Sequence, residues 1–313
     1  DKLLFSQIKK YLPLYAVLGD ENEATKLSKL CSKHNLRTKI LNGSEGLIFV
    51  SNHSRVKTVL SAIVGAAALK PTFAAVESGK KILLANKESL IMSGPLMIKA
   101  AKKSGAMILP VDSEHNAILQ IITTMGLDFN NIQNSKRNGK LNKITLTASG
   151  GPFLNFTKNQ LSKVTPSQAI KHPKWKMGKK ISVDSASMMN KGLEIIEAAI
   201  LFNLKPSQID ILIHPQSIVH ALVSFTDGSV ISHMSNHDMR VAISYALSWP
   251  KRYDINLDEL KLSSVSNLTF KKVRKNEFKC LDLCLKALKL GNNAPTVLNA
   301  ANEVAVEKFL ENK

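Results

Sequence analysis

The run Pro110-Val111-Asp112-Ser113-Glu114-His115 places two carboxylates two residues apart, directly after the apolar residues 107–109. Two carboxylates on one side of an extended turn can chelate a hard divalent cation such as Mg2+ or Mn2+. The same spacing suits a helix start, with Asp112 or Ser113 as the cap and Glu114 in the first turn. A second cluster lies at 184–197, read as a loop entering a helix. Ser185, Asn190 and Lys191 bring a hydroxyl, an amide and an ammonium to that helix start, a set suited to phosphate. Glu194 follows Lys191 by three positions and Asn190 by four, so the three can share one helix face; a surface helix with an ordinary Lys/Glu pair has the same pattern. Ser149-Gly150-Gly151 closes an apolar run with paired glycines, which let backbone amides approach an anion or simply make a turn. His172-Pro173-Lys174-Trp175-Lys176-Met177-Gly178 has the makeup of a mobile lid, or of a loop pinned to the core by Trp175. Asn86-Lys87-Glu88-Ser89 opens a helix where a strand ends, so that Lys87 can meet a substrate and its neighbours a cofactor, or Asn86 merely caps. His214 and His220 read as structural. Gathered at strand ends, these groups describe a metal-assisted enzyme acting on a small phosphorylated substrate.

The elements that must carry them follow from periodicity. Apolar runs at 15–18, 46–50, 61–65, 81–85 and 107–109 alternate with amphipathic stretches at 23–34, 72–78 and 98–103. This alternation predicts a parallel α/β sheet resembling the back half of a dinucleotide-binding domain. The glycine-rich strand-turn-helix that opens such a domain is not in the chain. A polar stretch at 127–142 reads as an exposed connection, and strands at 144–147, 209–213, 221–225 and 230–234 mix with helices beyond it. The expected class is therefore α/β: a partial Rossmann-like parallel-sheet domain over 1–112, an α+β catalytic domain over 113–250, a linker over 251–276 and a truncated C-terminal helical domain over 277–313.

Composition narrows the class further. Three cysteines among 313 residues make no disulfide framework and no zinc spacing, and Cys280 and Cys284 read as the core face of a helix. The formal charge of +19 comes mostly from lysines scattered in ones and twos along the chain, which argues for a solvated surface that attracts anions rather than a nucleic-acid site. No uninterrupted apolar run reaches the roughly eighteen residues of a membrane span, and residues 1–5 lack a signal peptide's order, so a cytoplasmic protein is expected.

Longer strings are more specific than spacing. Leu84-Ala85-Asn86-Lys87-Glu88-Ser89-Leu90 and the segments 110–116, 149–153, 172–177, 181–197 and 213–220 together resemble 1-deoxy-D-xylulose 5-phosphate reductoisomerase, in order, across roughly residues 60–310. The resemblance implies that Asp112, Glu114 and Glu194 bind Mn2+ or Mg2+. It implies that Ser149, Ser185, Asn190 and Lys191 hold the phosphate of a small phosphorylated sugar, that Lys87, Ser113 and His172 face its carbon backbone, and that Trp175 closes over it. Asn86, Glu88 and Gly178 match NADPH-contacting positions, with Met177 and Met239 beside the nicotinamide. A homodimer is implied, with no nucleic acid and no membrane. The expected protein is the central and catalytic part of such an enzyme, cut short at both ends; the alternative is a non-catalytic remnant that binds metal and phosphosugar without turnover.

Overall fold

Residues 15–18, 81–84 and 107–110 are too short for stable helices and carry aliphatic side chains on both faces, as buried parallel strands require. The computed structural model of the protein describes residues 2–127, 141–171, 177–273 and 278–312. It begins with α1 (Lys2–Tyr11), β1 (Tyr15–Leu18), α2 (Glu21–Lys33) and β2 (Lys39–Asn42). β1 and β2 form a two-stranded parallel sheet of their own. Next comes α3 (Gly43–Asn52), which occupies the run expected as a strand at 46–50. Gly46, Leu47, Val50 and Ser51 face inward or nearly so, a helical stripe rather than an alternation. A Cβ at Gly46 would stand 2.9 Å from Val17 and 3.0 Å from Leu41, so the glycine lets this helix lie directly on β1 and β2. Four apolar residues in a row cannot by themselves separate the two periods.

A second parallel sheet holds β3 (Thr58–Ser61), β4 (Lys81–Leu84) and β5 (Met107–Pro110) in that order. β3 ends at Ser61, so the strand expected at 61–65 starts three residues too late. α4 (Leu69–Glu77) and α5 (Lys87–Ser104) make the crossovers, and α6 (Ser113–Thr124) leaves the carboxyl end of β5. The third sheet is mixed. β6 (Leu141–Ala148), β7 (Ile209–Ile213), β8 (Val219–Phe225), β9 (Val230–Met234) and β10 (Lys271–Lys272) stand in the order β10-β7-β6-β8-β9, with only β6 and β7 parallel. β10 falls inside the expected linker and ties it to the sheet through β7.

Between β6 and β7 run α7 (Lys158–Leu161), α8 (Pro166–Ala169), α9 (Lys179–Ala186) and α10 (Met189–Leu201). Asp184 and Ser185 therefore sit in the last turn of α9 rather than in the expected loop. α11 (Met239–Ser248) follows β9, and α12 (Lys279–Leu290) and α13 (Ala294–Leu310) close the chain, with Cys284 buried on α12 as expected. One apolar core joins the second and third sheets, with Leu84 and Leu109 from one, Leu146 and Val223 from the other, and Ile118 of α6 and Ile195 of α10 among its members. Each such side chain contributes roughly 1.5–3 kcal/mol on burial, so α6 and α10 are held firmly at the seam. Among the described residues no helix is long and apolar enough to cross a membrane.

Candidate active site

β4 and β5 deliver their carboxyl ends to the edge of one cavity of about 360 Å³. Its lining includes Lys87, Asp112, Ser113, Glu114, Ser149, Met177, Gly178, Ser185, Asn190, Lys191, Glu194 and Met239, so most of the residues singled out in the sequence converge there. Asp112 takes the cap position of α6, yet its side chain makes no capping hydrogen bond and turns instead to the Lys87 ammonium. Capping therefore does not account for Asp112. Asn86 does cap: its carbonyl oxygen accepts from the Ser89 backbone N–H at 2.8 Å, and its Nδ2 donates to the main-chain oxygens of Ile63 and Gly65 and to Glu88. Only 2% exposed, Asn86 lies behind the cavity wall with its amide fully engaged. Glu88 lies behind it too, 3.0 Å from Lys180 Nζ, which also reaches Asp184 at 2.8 Å. Asp184 accepts from Asn302 of α13 at 2.8 Å through its other oxygen.

At the centre, three carboxylates meet two ammoniums. Lys87 Nζ touches Asp112 and stands 3.3 Å from Glu194 and 2.9 Å from Asn190 Oδ1. Lys191 Nζ lies 2.6 Å from Glu114 and in contact with Glu194. Asn190 donates to Glu194 at 2.5 Å, and the Ser113 hydroxyl donates to Glu114. Burial, together with the nearby Glu114 charge, pushes the Glu194 carboxyl up to about 7. Burial also opposes charge on Lys87 and Lys191, but the surrounding carboxylates overrule it and hold both ammoniums above the ordinary lysine range. At Asp112 the neighbouring Lys87 likewise overrules burial and lowers the carboxyl.

The donor set suits a hard divalent ion. One carboxylate oxygen each from Asp112, Glu114 and Glu194 lies within 4.8 Å of the others. Ligands of one Mg2+ stand at most about 4.2 Å apart, a spacing that small side-chain rotations reach. In the same cavity, Ser149 and Ser185 add hydroxyls to the Asn190 amide and the Lys191 ammonium, a donor set for an anion. Gly151 sits at φ +67°, where a Cβ would be 2.7 Å from the Ser185 carbonyl oxygen, so glycine is what lets the β6 turn close on α9. Met177, Ile181 and Met239 form an apolar wall. His172 and Trp175 lie outside the described residues.

Among the lining residues not singled out as site residues from the sequence are His220, Ser217 and Glu197. His220, expected to be structural, faces the cavity with its Nε2 3.0 Å from Ser235 Oγ, and Ser217 lies beside it at φ 54°. The signal available was their place at the start of a strand next to a turn. His214 is not among the lining residues and stacks on Phe270 with ring centroids 4.7 Å apart. Glu197, also in the lining, carried no sequence signal beyond its one-turn spacing from Glu194.

Three family profiles match the chain: 1-deoxy-D-xylulose 5-phosphate reductoisomerase over residues 1–94, the C-terminal domain of that enzyme over 108–202, and DXP reductoisomerase C-terminal domain over 234–313. The 1-deoxy-D-xylulose 5-phosphate reductoisomerase of Pseudomonas fluorescens (strain Pf0-1) is 50% identical over 310 residues, covering 99% of this chain and 77% of that protein. Its counterpart in Cellvibrio japonicus is 48% identical over 312 residues, covering 100% and 78%. A crystal structure of DOX-P reductoisomerase in complex with NADPH, fosmidomycin and magnesium superposes with a TM-score of 0.95 at 44% identity, over 99% of this chain and 76% of that one. The Zymomonas mobilis enzyme in complex with NADPH gives 0.88 at 37% identity, over 99% and 77%.

Proposed function

The chain belongs to the 1-deoxy-D-xylulose 5-phosphate reductoisomerase family, and on that premise we propose how its own residues divide the work of the reaction. The protein is an NADPH-dependent oxidoreductase that converts 1-deoxy-D-xylulose 5-phosphate to 2-C-methyl-D-erythritol 4-phosphate in the non-mevalonate pathway. The observation that carries the assignment of roles is the meeting of Asp112, Glu114 and Glu194 with Lys87 and Lys191 in one cavity.

Asp112, Glu114 and Glu194 hold the divalent cation, Mg2+ as in three solved structures of relatives or Mn2+ in its place. When bound, it acts as a Lewis acid and template for the substrate's oxygens, and NADPH supplies the hydride. Ser149, Ser185, Asn190 and Lys191 hold the phosphate, fixing the substrate at a point remote from the bonds that change. Lys191 changes partner on going from the carboxylate cluster to the phosphate, which brings its positive charge to the anion. Lys87 and Ser113 face the sugar backbone, with Lys87 oriented by Asn190 and placed to donate to an oxygen that gains negative charge during the rearrangement. His172 is assigned to the sugar backbone with them, and Trp175 to covering the substrate, which excludes water from the aldehyde formed before reduction. Met177 and Met239 pack against the nicotinamide, Gly178 lets the cofactor approach the backbone at the start of α9, and Asn86 and Glu88 brace the cofactor side from behind the wall.

The expected domains are a dinucleotide-binding part over 1–112, a catalytic part over 113–250, a linker over 251–276 and a helical part over 277–313. We take the protein to act in the cytoplasm as a homodimer. β9 supports the dimer: it is an edge strand with Val230 and Ile231 exposed, an edge that a second copy can extend.

The test is NADPH consumption, followed by absorbance, with 1-deoxy-D-xylulose 5-phosphate and Mn2+, in the native protein and in Glu194→Gln. Native turnover with none in Glu194→Gln, whose fold is retained, is the expected result. Equal turnover in both removes Glu194 from the site, and native binding of metal and phosphosugar without turnover favours a non-catalytic remnant.

A further inference from the structure

Glu197 is a buried carboxylate to which the reaction as described gives no role. It lies one turn beyond Glu194 on α10 and is 1% exposed, in a setting where an unpartnered charge is strongly unfavourable. Its Oε2 makes no hydrogen bond of ordinary length among the described residues and faces His115 Nδ1, which likewise has none, across 3.5 Å. His115 sits fully buried on α6, next to Glu114 and three residues after Asp112. Its other ring nitrogen, Nε2, lies 2.9 Å from the main-chain oxygen of Glu194. A carbonyl oxygen only accepts, so Nε2 carries a hydrogen and donates it there. Phe202 stacks on the ring with the planes 15° apart, which fixes its orientation and aims Nδ1 at Glu197, with Asp112 Oδ1 at 4.0 Å. The ring thus spans α6 and α10, the two helices that carry all three metal-ligand candidates.

We propose that Glu197 is a positioning residue which, through His115, sets the spacing of α6 against α10 and so holds Asp112, Glu114 and Glu194 ready for a divalent cation. The inference rests on the reading of those three as the metal ligands. Outer partners of this kind orient ligands without touching the ion, and their loss typically weakens metal binding about 10- to 100-fold.

The experiment measures Mn2+ binding by calorimetry, without substrate, and thermal melting, in the native protein, Glu197→Met, Glu197→Gln and Glu194→Gln. Glu197→Met matches the volume and removes the burden of a buried acid, so the protein should melt no lower than native while binding Mn2+ at least about tenfold more weakly. Glu197→Gln keeps a partner for His115 Nδ1 and should bind within about threefold of native. If Glu197→Met fails to fold, Glu197→Asp, which keeps the charge but withdraws it from His115, replaces it with the same expected loss. Native-like binding in Glu197→Met alongside lost binding in Glu194→Gln overturns the positioning role alone. Native-like binding in Glu194→Gln overturns the ligand assignment beneath it. Two ions per native chain falling to one in Glu197→Met also overturns the proposal, in favour of a second cation held by Asp112, His115 and Glu197.

Discussion

Glu194 shows how much of a residue's chemistry comes from its surroundings. In the sequence it is one acid on an amphipathic helix. In the fold it is 1% exposed beside two other carboxylates, and burial first, Glu114 second, raise its carboxyl to about 7. A cation needs the ionised form, so its binding releases a proton. Mn2+ affinity should therefore rise by up to about tenfold per pH unit below pH 7 and level off above it, as isothermal titration across that range would read. A pH-independent affinity there would contradict the raised carboxyl. Without metal the sign is reversed. A folded carboxyl raised above its unfolded value of 4.5 contributes stability that is complete below about pH 4.5 and is lost as pH rises through about 7. The metal-free protein should accordingly lose this contribution over the same window in which cation binding strengthens, so the stabilisation by Mn2+ grows with pH.

At the scale of elements, the site depends on how α5, α9 and α13 are fastened together. Lys180 of α9 reaches Glu88 of α5 and Asp184, whose other oxygen accepts from Asn302 of α13. The Lys180 ammonium is held above its ordinary range by these two carboxylates despite burial that opposes it. Lys180→Met leaves two largely buried acids without their shared cation, and the expected loss is on the order of 3 kcal/mol. Melting followed by circular dichroism should fall by several degrees, more than for substitution of the exposed pair Lys143 and Asp210, whose contribution lies within about 1 kcal/mol. An unchanged melting temperature would reduce the Lys180 bridge to a spectator. Element types were largely readable: aliphatic runs at 81–84 and 107–110 became strands, and the spacing of Asn190 and Lys191 to Glu194 became one face of α10. The run at 46–50 was not, because four apolar residues fit either period until Gly46 allows a helix to seat on β1 and β2.

The whole molecule carries a formal charge of +19 while its site gathers carboxylates, so the field that draws anions inward is general and the local charge is specific. The substrate and the reductant are both anionic. Raising ionic strength from about 20 mM to about 300 mM should lower kcat/KM for the phosphosugar severalfold with little change in kcat, because screening acts on encounter more than on the bound state. Steady-state rates at the two salt concentrations test this, and a fall in kcat alone would refute it.

By itself the sequence determined the class of elements, the family, and which residue types stood ready for metal and phosphate: Asp112 and Glu114 two apart after a strand, Asn190, Lys191 and Glu194 on one helix face, and Ser149 before paired glycines. These are local properties, set by spacing along a strand end or a helix turn. Only the tertiary structure decided that Asp112 turns from its cap to Lys87, that Asn86 and Glu88 lie behind the wall while His220 and Ser217 line the cavity, and that Glu197 meets His115. Each of those outcomes joins residues about 25 to 130 positions apart, across α5, α6, α10 and β8, and depends on side-chain direction and burial that no single element carries.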